Sequence, residues 1–153
     1  MTILTRIRDT SNNVDFLSLV AELDADLQQR YGALQASYDQ YNTVEALDTV
    51  VVAYFDEHPV ACGAFKPYNS TTVEIKRMFV LPEQRGKGLA GSVLRELETW
   101  AQELGYARAI LETGRKQTEA IRLYRKHGYR PMENYGQYQG VENSVCFQKI
   151  FEQ

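Results

Sequence analysis

Hydrophobic residues recur along this chain at two different periods. "TILTRIR", residues 2–8, alternates apolar and polar positions, the pattern of a half-buried strand. Over residues 12–32 the spacing lengthens. Val14, Leu17, Val20 or Ala21, Asp24 and Leu27 recur at helical intervals, with Asn12 or Asn13 as cap and Gly32 as stop. Residues 33–47 are expected to form a second helical piece. "DTVVVAYFDEHPVACGAFKPYNSTTVEIKRMFVL", residues 48–81, reads as three strands filled with β-branched and aromatic residues. "DEHP" and "KPYNST" supply the turns, and connections this short make the strands antiparallel neighbours.

After Val80 the helical period returns. Leu89, Val93, Leu94, Leu97, Trp100, Ala101 and Leu104 form an apolar stripe, with Arg95, Glu96, Glu98 and Glu103 largely off it. Gly105 closes this helix. "ARAILET", residues 107–113, is a short buried strand, reached through a helix and therefore parallel to its predecessor. "KQTEAIRLYRKHG" is a further helix closed by Gly128, and "YRPMENYGQY" with "NSVCFQKIF" makes a closing antiparallel pair. The predicted order is β-α-α-β-β-β-α-β-α-β-β. That is an α/β (α+β) fold: one domain with a mixed, mostly antiparallel sheet of about seven strands and about four helices.

Composition narrows the classes. The 153 residues suit one domain with one sizeable core, and 44% hydrophobic with 24% charged residues is ordinary for a soluble globular protein. The start lacks the apolar core of a signal peptide, and no run approaches a membrane span, so no membrane partner is expected. Two cysteines, Cys62 and Cys146, are too few for a disulfide framework and suit a reducing cytoplasm. His58 and His127 stand far apart, each without a nearby cysteine or histidine, so no metal is expected. A net charge of −3 argues against a nucleic-acid partner. The distribution says more: residues 1–75 hold 4 Lys/Arg against 11 Asp/Glu, whereas residues 76–130 hold 12 against 6. Such asymmetry suits two ligands of opposite charge, or merely an uneven solvated surface.

The stretch "FVLPEQRGKGLAGSVLREL", Phe79 to Leu97, places three glycines and two cations between a strand and a helix. Unpaired main-chain N–H groups at a helix start favour an anion, small residues let it approach, and Arg85 and Lys87 add charge. The alternative is a loop whose glycines serve only as turns. Gly86, Gly88 and Gly91 also satisfy G-x-G-x-x-G, and Glu112 lies about 20 residues beyond them. A dinucleotide loop, however, needs its first glycine directly after the strand, and here residues 81–85 intervene. A nucleotide P-loop fails too, because no G-K-[ST] follows.

"RGKGLA", Arg85 to Ala90, is similar to the R/Q-x-x-G-x-G/A pyrophosphate signature of the GNAT superfamily of acyl-CoA-dependent N-acetyltransferases. "EIKRMFVLPEQRGKGLAGSVLREL" and "AIRLYRKHGY" resemble that family's fourth strand, third helix and fourth helix. The strong resemblance covers about residues 50–130. It implies a central parallel pair of strands that splay apart, with acetyl-CoA as co-substrate lying between them. Arg85, Gly86, Lys87, Gly88, Leu89 and Ala90 would then hold the diphosphate, and strand backbone around Met78, Phe79 and Val80 the pantetheine arm. Lys76 and Arg77 break the alternation of their strand, as a β-bulge would. Gln117 stands where many relatives carry an asparagine that bonds this arm.

The reaction so implied moves an acetyl group to a primary amine of a small molecule or peptide by direct attack in a ternary complex. Tyr124 matches the family tyrosine that protonates the departing sulfur; a core aromatic is its competing role. Glu74 and Glu112 compete as the base, against the alternative that each is an ion-paired or surface carboxylate. Arg115, Lys116 and Arg122 are either a solvated basic face or neighbours of the 3′-phosphate. The acceptor side would be lined by Asp24, Asp26, Tyr31, Tyr38, Tyr41, Tyr135 and Tyr138, acid plus aromatic, which suits a cationic amine. A homodimer through the closing strands fits the pattern. The rival function is a non-catalytic acyl-CoA-binding sensor or interaction module.

Overall fold

The protein is described from a computed structural model, over residues 2–31 and 46–152. Seven strands form one sheet: β1 (Leu4–Asp9), β2 (Thr49–Phe55), β3 (His58–Pro67), β4 (Thr72–Val80), β5 (Arg108–Gly114), β6 (Arg130–Met132) and β7 (Ser144–Ile150). They lie in the order β1-β2-β3-β4-β5-β7-β6. All neighbours are antiparallel except β4 and β5. The described helices are α1 (Val14–Tyr31), α2 (Leu89–Glu103) and α3 (Thr118–Lys126). Among the described residues there are three helices against the expected total of about four, and the second helical piece, over 33–47, falls mainly outside the described residues. Ala46 and Leu47, at its end, are not helical. Among the described residues no helix is long and apolar enough to cross a membrane.

Two layers of helix cover the two faces of the sheet. On β2, Val50 and Val52 join the cluster under α1, while Val51 and Ala53 join the cluster under α2. That is period-two alternation in a strand buried on both sides. The expected stripe of α1 is corrected. Val14 is 78% and Leu17 44% exposed, and Phe16, Leu19, Val20 and Leu23 are the buried face. These four also recur at helical spacing, and they carry the bulkier set to the sheet, each contributing about 1.5–3 kcal/mol by burial. Asn13 caps the helix, its Oδ1 accepting the Phe16 N–H at 2.8 Å.

Helix α2 follows its stripe except at two places. Leu104 is exposed as the cap residue, and Glu98, expected off the stripe, is only 7% exposed. The Tyr129 hydroxyl and the Lys149 ammonium each donate to Glu98, both at 2.8 Å, which is what allows a carboxylate there.

Strand β4 decides the shape of the centre. Cys62 pairs with Phe79 and Ala64 with Lys76, so Gly63 alone faces two residues, Arg77 and Met78. Arg77 takes a left-handed φ of 60°. The predicted bulge is present, and it exchanges the faces of the strand. Before it, Val73 and Ile75 pack in the α2 layer; beyond it, Phe79 packs in the α1 layer. Beta4 and β5 pair over only three positions, from Thr72–Arg108 to Glu74–Ile110, and then separate.

Removal of the α1 cap by Asn13→Ala should lower the urea-derived unfolding free energy by about 1 kcal/mol. An unchanged denaturation midpoint would show the cap to be dispensable.

Candidate active site

The separation of β4 from β5 opens two connected hollows. The larger, about 500 Å³, runs along the start of α2 and the inner face of α3. Of the residues expected to hold a coenzyme, Met78, Phe79, Val80, Arg85, Gly86, Gly88, Leu89, Ala90, Gln117 and Tyr124 line it. Lys87 does not: its ammonium donates to Gln84 Oε1 at 2.8 Å and sits 5.6 Å over the Phe55 ring.

The chain leaves β4 through a single 3-10 turn, Pro82–Gln84, and reaches α2 through Gly86 and Gly88, with φ of 84° and 78°. A side chain at either glycine would touch nothing within 4 Å. The demand for glycine there is conformational, and the main chain lies open to a ligand. Gly88 caps α2 without any side-chain hydrogen bond, so the first-turn N–H groups keep no partner within the helix. Arg85 stays beside the loop, its Nε donating to Val80 O at 3.1 Å and its guanidinium 4.0 Å from Asp26. This donor set fits a diphosphate.

At the other end of the hollow stand Arg95, Lys126 and His127. Arg115, Lys116 and Arg122 do not line it. The signal was present in the helical period: Arg95 follows Gly91 by four residues on α2, and Lys126 and His127 end α3. A Cβ at Gly91 would lie 2.6 Å from His127 Nε2, so the His127 ring packs over the bare backbone of α2 there. Desolvation and the nearby Arg95 charge push the His127 pKa down.

The smaller hollow, about 110 Å³, lies between the parted strands and is lined by Glu74, Glu112, Lys76, Arg77 and Tyr138 among others. Tyr124 and Gln117 line both hollows. Tyr124 is 6% exposed, edge-on to Tyr129 at 5.7 Å. Among the described residues none hydrogen bonds its hydroxyl. Burial, with Glu112 second, pushes its pKa above the usual phenol value.

The two carboxylates lie in different environments. Glu74, 3% exposed, accepts the Tyr135 hydroxyl at 2.6 Å and has Lys66 at 3.9 Å. Glu112 accepts the Ser144 hydroxyl at 2.7 Å. Burial, reinforced by the Glu74 charge and opposed by Ser144 and Lys76, pushes its pKa up to about 7. Ser144 and Lys66 carried no motif; they reach the carboxylates through strand pairing across the sheet.

The acceptor-side expectation changes. Asp24 is ion-paired to Arg77 at 2.9 Å, and Asp26 lines the larger hollow beside Arg85, so neither presents free charge to an amine. Tyr135 and Tyr138 do stand together, edge to face at 5.5 Å, with Tyr68 packed on Tyr135 at 5.4 Å. Tyr38, Tyr41 and the Tyr31 side chain lie outside the described residues.

A family model described as the acetyltransferase (GNAT) family matches residues 16–129. The chain belongs to the GNAT acetyltransferases. An IAA acetyltransferase of Azospirillum brasilense is 33% identical over 124 residues, 80% of this chain and 81% of that one. The chain spans about half the length of another curated relative, an uncharacterized N-acetyltransferase of Schizosaccharomyces pombe, at 35% identity over 83 residues. Among solved structures, a Klebsiella pneumoniae protein provisionally described as an acyl-CoA N-acyltransferase superposes with a TM-score of 0.79 and 27% identity, covering 98% of this chain and 97% of its own. A GNAT acetyltransferase from Elizabethkingia anophelis with acetyl-CoA bound shares the fold, with a TM-score of 0.70, 20% identity, and 97% and 98% coverage.

Glu112 binds its proton more tightly in this GNAT fold, near pH 7, than in the unfolded chain, near the ordinary 4.5. Its contribution to stability is therefore full below about pH 4.5 and is lost as pH rises towards 7. Glu112→Gln should flatten the fall in melting temperature across that window, read by thermal melting at stepped pH. Equal slopes in both proteins would refute the shift.

Proposed function

We propose that this chain transfers an acetyl group from acetyl-CoA to a primary amine of a small molecule or peptide, both substrates being bound together. The observation that carries this reading is Tyr124 in the wall common to the two hollows, one fitted to a diphosphate-bearing coenzyme and one holding two carboxylates. When bound, the coenzyme supplies an activated thioester. The first-turn amides of α2, with Arg85, hold its diphosphate. Met78, Phe79, Val80 and Gln117 would flank its arm, and Arg95 and Lys126, with His127 beside them, would meet its remaining phosphate.

Glu112 is the base. With a pKa near 7 it is part ionised at neutral pH and strong enough to take the amine proton. Glu74, held by Tyr135 and Lys66, keeps a fixed position beside it and raises its affinity for protons. The Tyr124 hydroxyl donates a proton to the departing sulfur. Burial keeps that proton in place at neutral pH, and the same desolvation makes a thiolate formed beside it more basic. Of the aromatic residues on the acceptor side, Tyr138 lines the smaller hollow, where its ring favours a cation.

Tyr124→Phe preserves the ring, so melting should be unchanged while turnover falls by about 10²–10⁴-fold. A variant of wild-type turnover would leave Tyr124 as packing alone. Glu112→Gln should remove the acid limb of the pH–rate profile near 7, and retention of that limb would strike Glu112 from the mechanism. Acceptors are found by screening amines for release of free CoA thiol. Tight coenzyme binding with neither hydrolysis nor amine-dependent release would identify an acyl-CoA-binding module instead.

A further inference from the structure

The bulge of β4 is held from three directions. The Arg77 guanidinium, its side chain only 9% exposed, is ion-paired to Asp24 of α1 at 2.9 Å. The Cys62 thiol donates to the Arg77 carbonyl at 3.4 Å. From below, Gly63 leaves room for Met78: a Cβ there would lie 2.5 Å from the Met78 sulfur and 2.9 Å from Leu97. Arginine with φ of 60° is strained, because a branched-off Cβ crowds the backbone in the left-handed region. Such a conformation persists where its surroundings over-determine it. Of these restraints, the ion pair joins the bulge to α1, while Met78 packs on the α2 layer.

We infer that Asp24 is a positioning residue: its ion pair with Arg77 latches α1 to the bulge and so sets the aim of the main chain at Met78, between the two hollows. Met78 shares Gly63 with Arg77 across the ladder and lines both hollows, so the interrupted part of β4 lies at the site. If the latch opens, Arg77 can relax towards ordinary strand angles. Met78 and Phe79 would then rotate with it, since one residue of slip exchanges the two faces of a strand. Helix α1 lines the small hollow with Leu23 and Leu27 as well, so the same helix that borders the acceptor side would hold the donor strand in register. This makes the geometry of transfer depend on a residue that touches neither reacting group.

The inference rests on the acetyl-transfer reading above, and the test separates the two. Wild-type protein is assayed first with an amine found by thiol release; if it releases none while binding coenzyme, the transfer reading fails. The latch is then read independently of activity, by peptide-resolved hydrogen exchange over residues 74–80. Asp24→Asn should speed exchange there, lower kcat by roughly tenfold to a hundredfold, and leave the calorimetric Kd for CoA within about twofold. Arg77→Gly, which suits φ of 60° but lacks the guanidinium, should lose as much, and the double variant no more than either single one. The exchanged pair Asp24→Arg/Arg77→Asp should recover most of kcat, because aspartate tolerates the left-handed region. An Asp24→Asn protein with wild-type exchange and kcat overturns the latch. So does a loss of kcat matched by an equal loss of melting temperature and coenzyme affinity, unrescued by the exchanged pair.

Discussion

Between Ile75 and Phe79 strand β4 must fit one residue more than β3 offers it, and much of the site follows from that misfit. An even ladder would keep odd-numbered residues of β4 on the α2 side to its end. The extra residue at Arg77–Met78 sends Phe79 to the other layer and, with the parting of β4 from β5 after Glu74, opens the sheet at its centre. Both hollows lie along this break. A flat, fully paired sheet would place Tyr124 and Glu112 on opposite sides of a closed wall. The strain is accommodated because the bulge is packed, ion-paired and hydrogen-bonded on every side.

Charge is sorted around the same break. The larger hollow gathers main-chain dipoles and cations: the start of α2, Arg85, Arg95 and Lys126, with the His127 imidazole beside them. The smaller gathers Glu74 and Glu112, close enough that one raises the proton affinity of the other. The cation-rich stretch 76–130 thus supplies much of the larger hollow's lining, and the two carboxylates stand in the smaller. Several other acidic side chains of the first half do other work. Asp24 and Asp26 stand against Arg77 and Arg85, and Asp15 accepts the Tyr54 hydroxyl at 2.7 Å. Elsewhere Glu96 and Glu103 hold Arg8 of β1 against α2.

Much of this was legible in the residues. The glycine loop, the amphipathic period of α2, the meander of three strands and the tyrosine of α3 are local patterns, and local sterics and hydrogen-bonding needs specify them. The bulge was legible too, as two adjacent charges in an apolar strand. What the chain alone did not reveal was phase and partnership. Helix α1 contains two apolar sets at helical spacing, and only contact with the sheet selects Phe16, Leu19, Val20 and Leu23 over Val14 and Leu17. Glu98 is a surface residue by pattern and a buried one in fact, because Tyr129 before β6 and Lys149 of β7 arrive from far along the chain to receive it.

The residues by themselves determined which segments become strand, helix and anion-binding loop, since neighbours within a few positions set backbone angles and amphipathic period. Tertiary structure decided which carboxylate is poised and which is held. Glu74 and Glu112 differ little as strand residues. Tyr135 and Lys66 secure one, whereas burial beside it drives the proton onto the other. Desolvation and charge coupling act through space, between residues that the chain keeps far apart, so no stretch of sequence contains them.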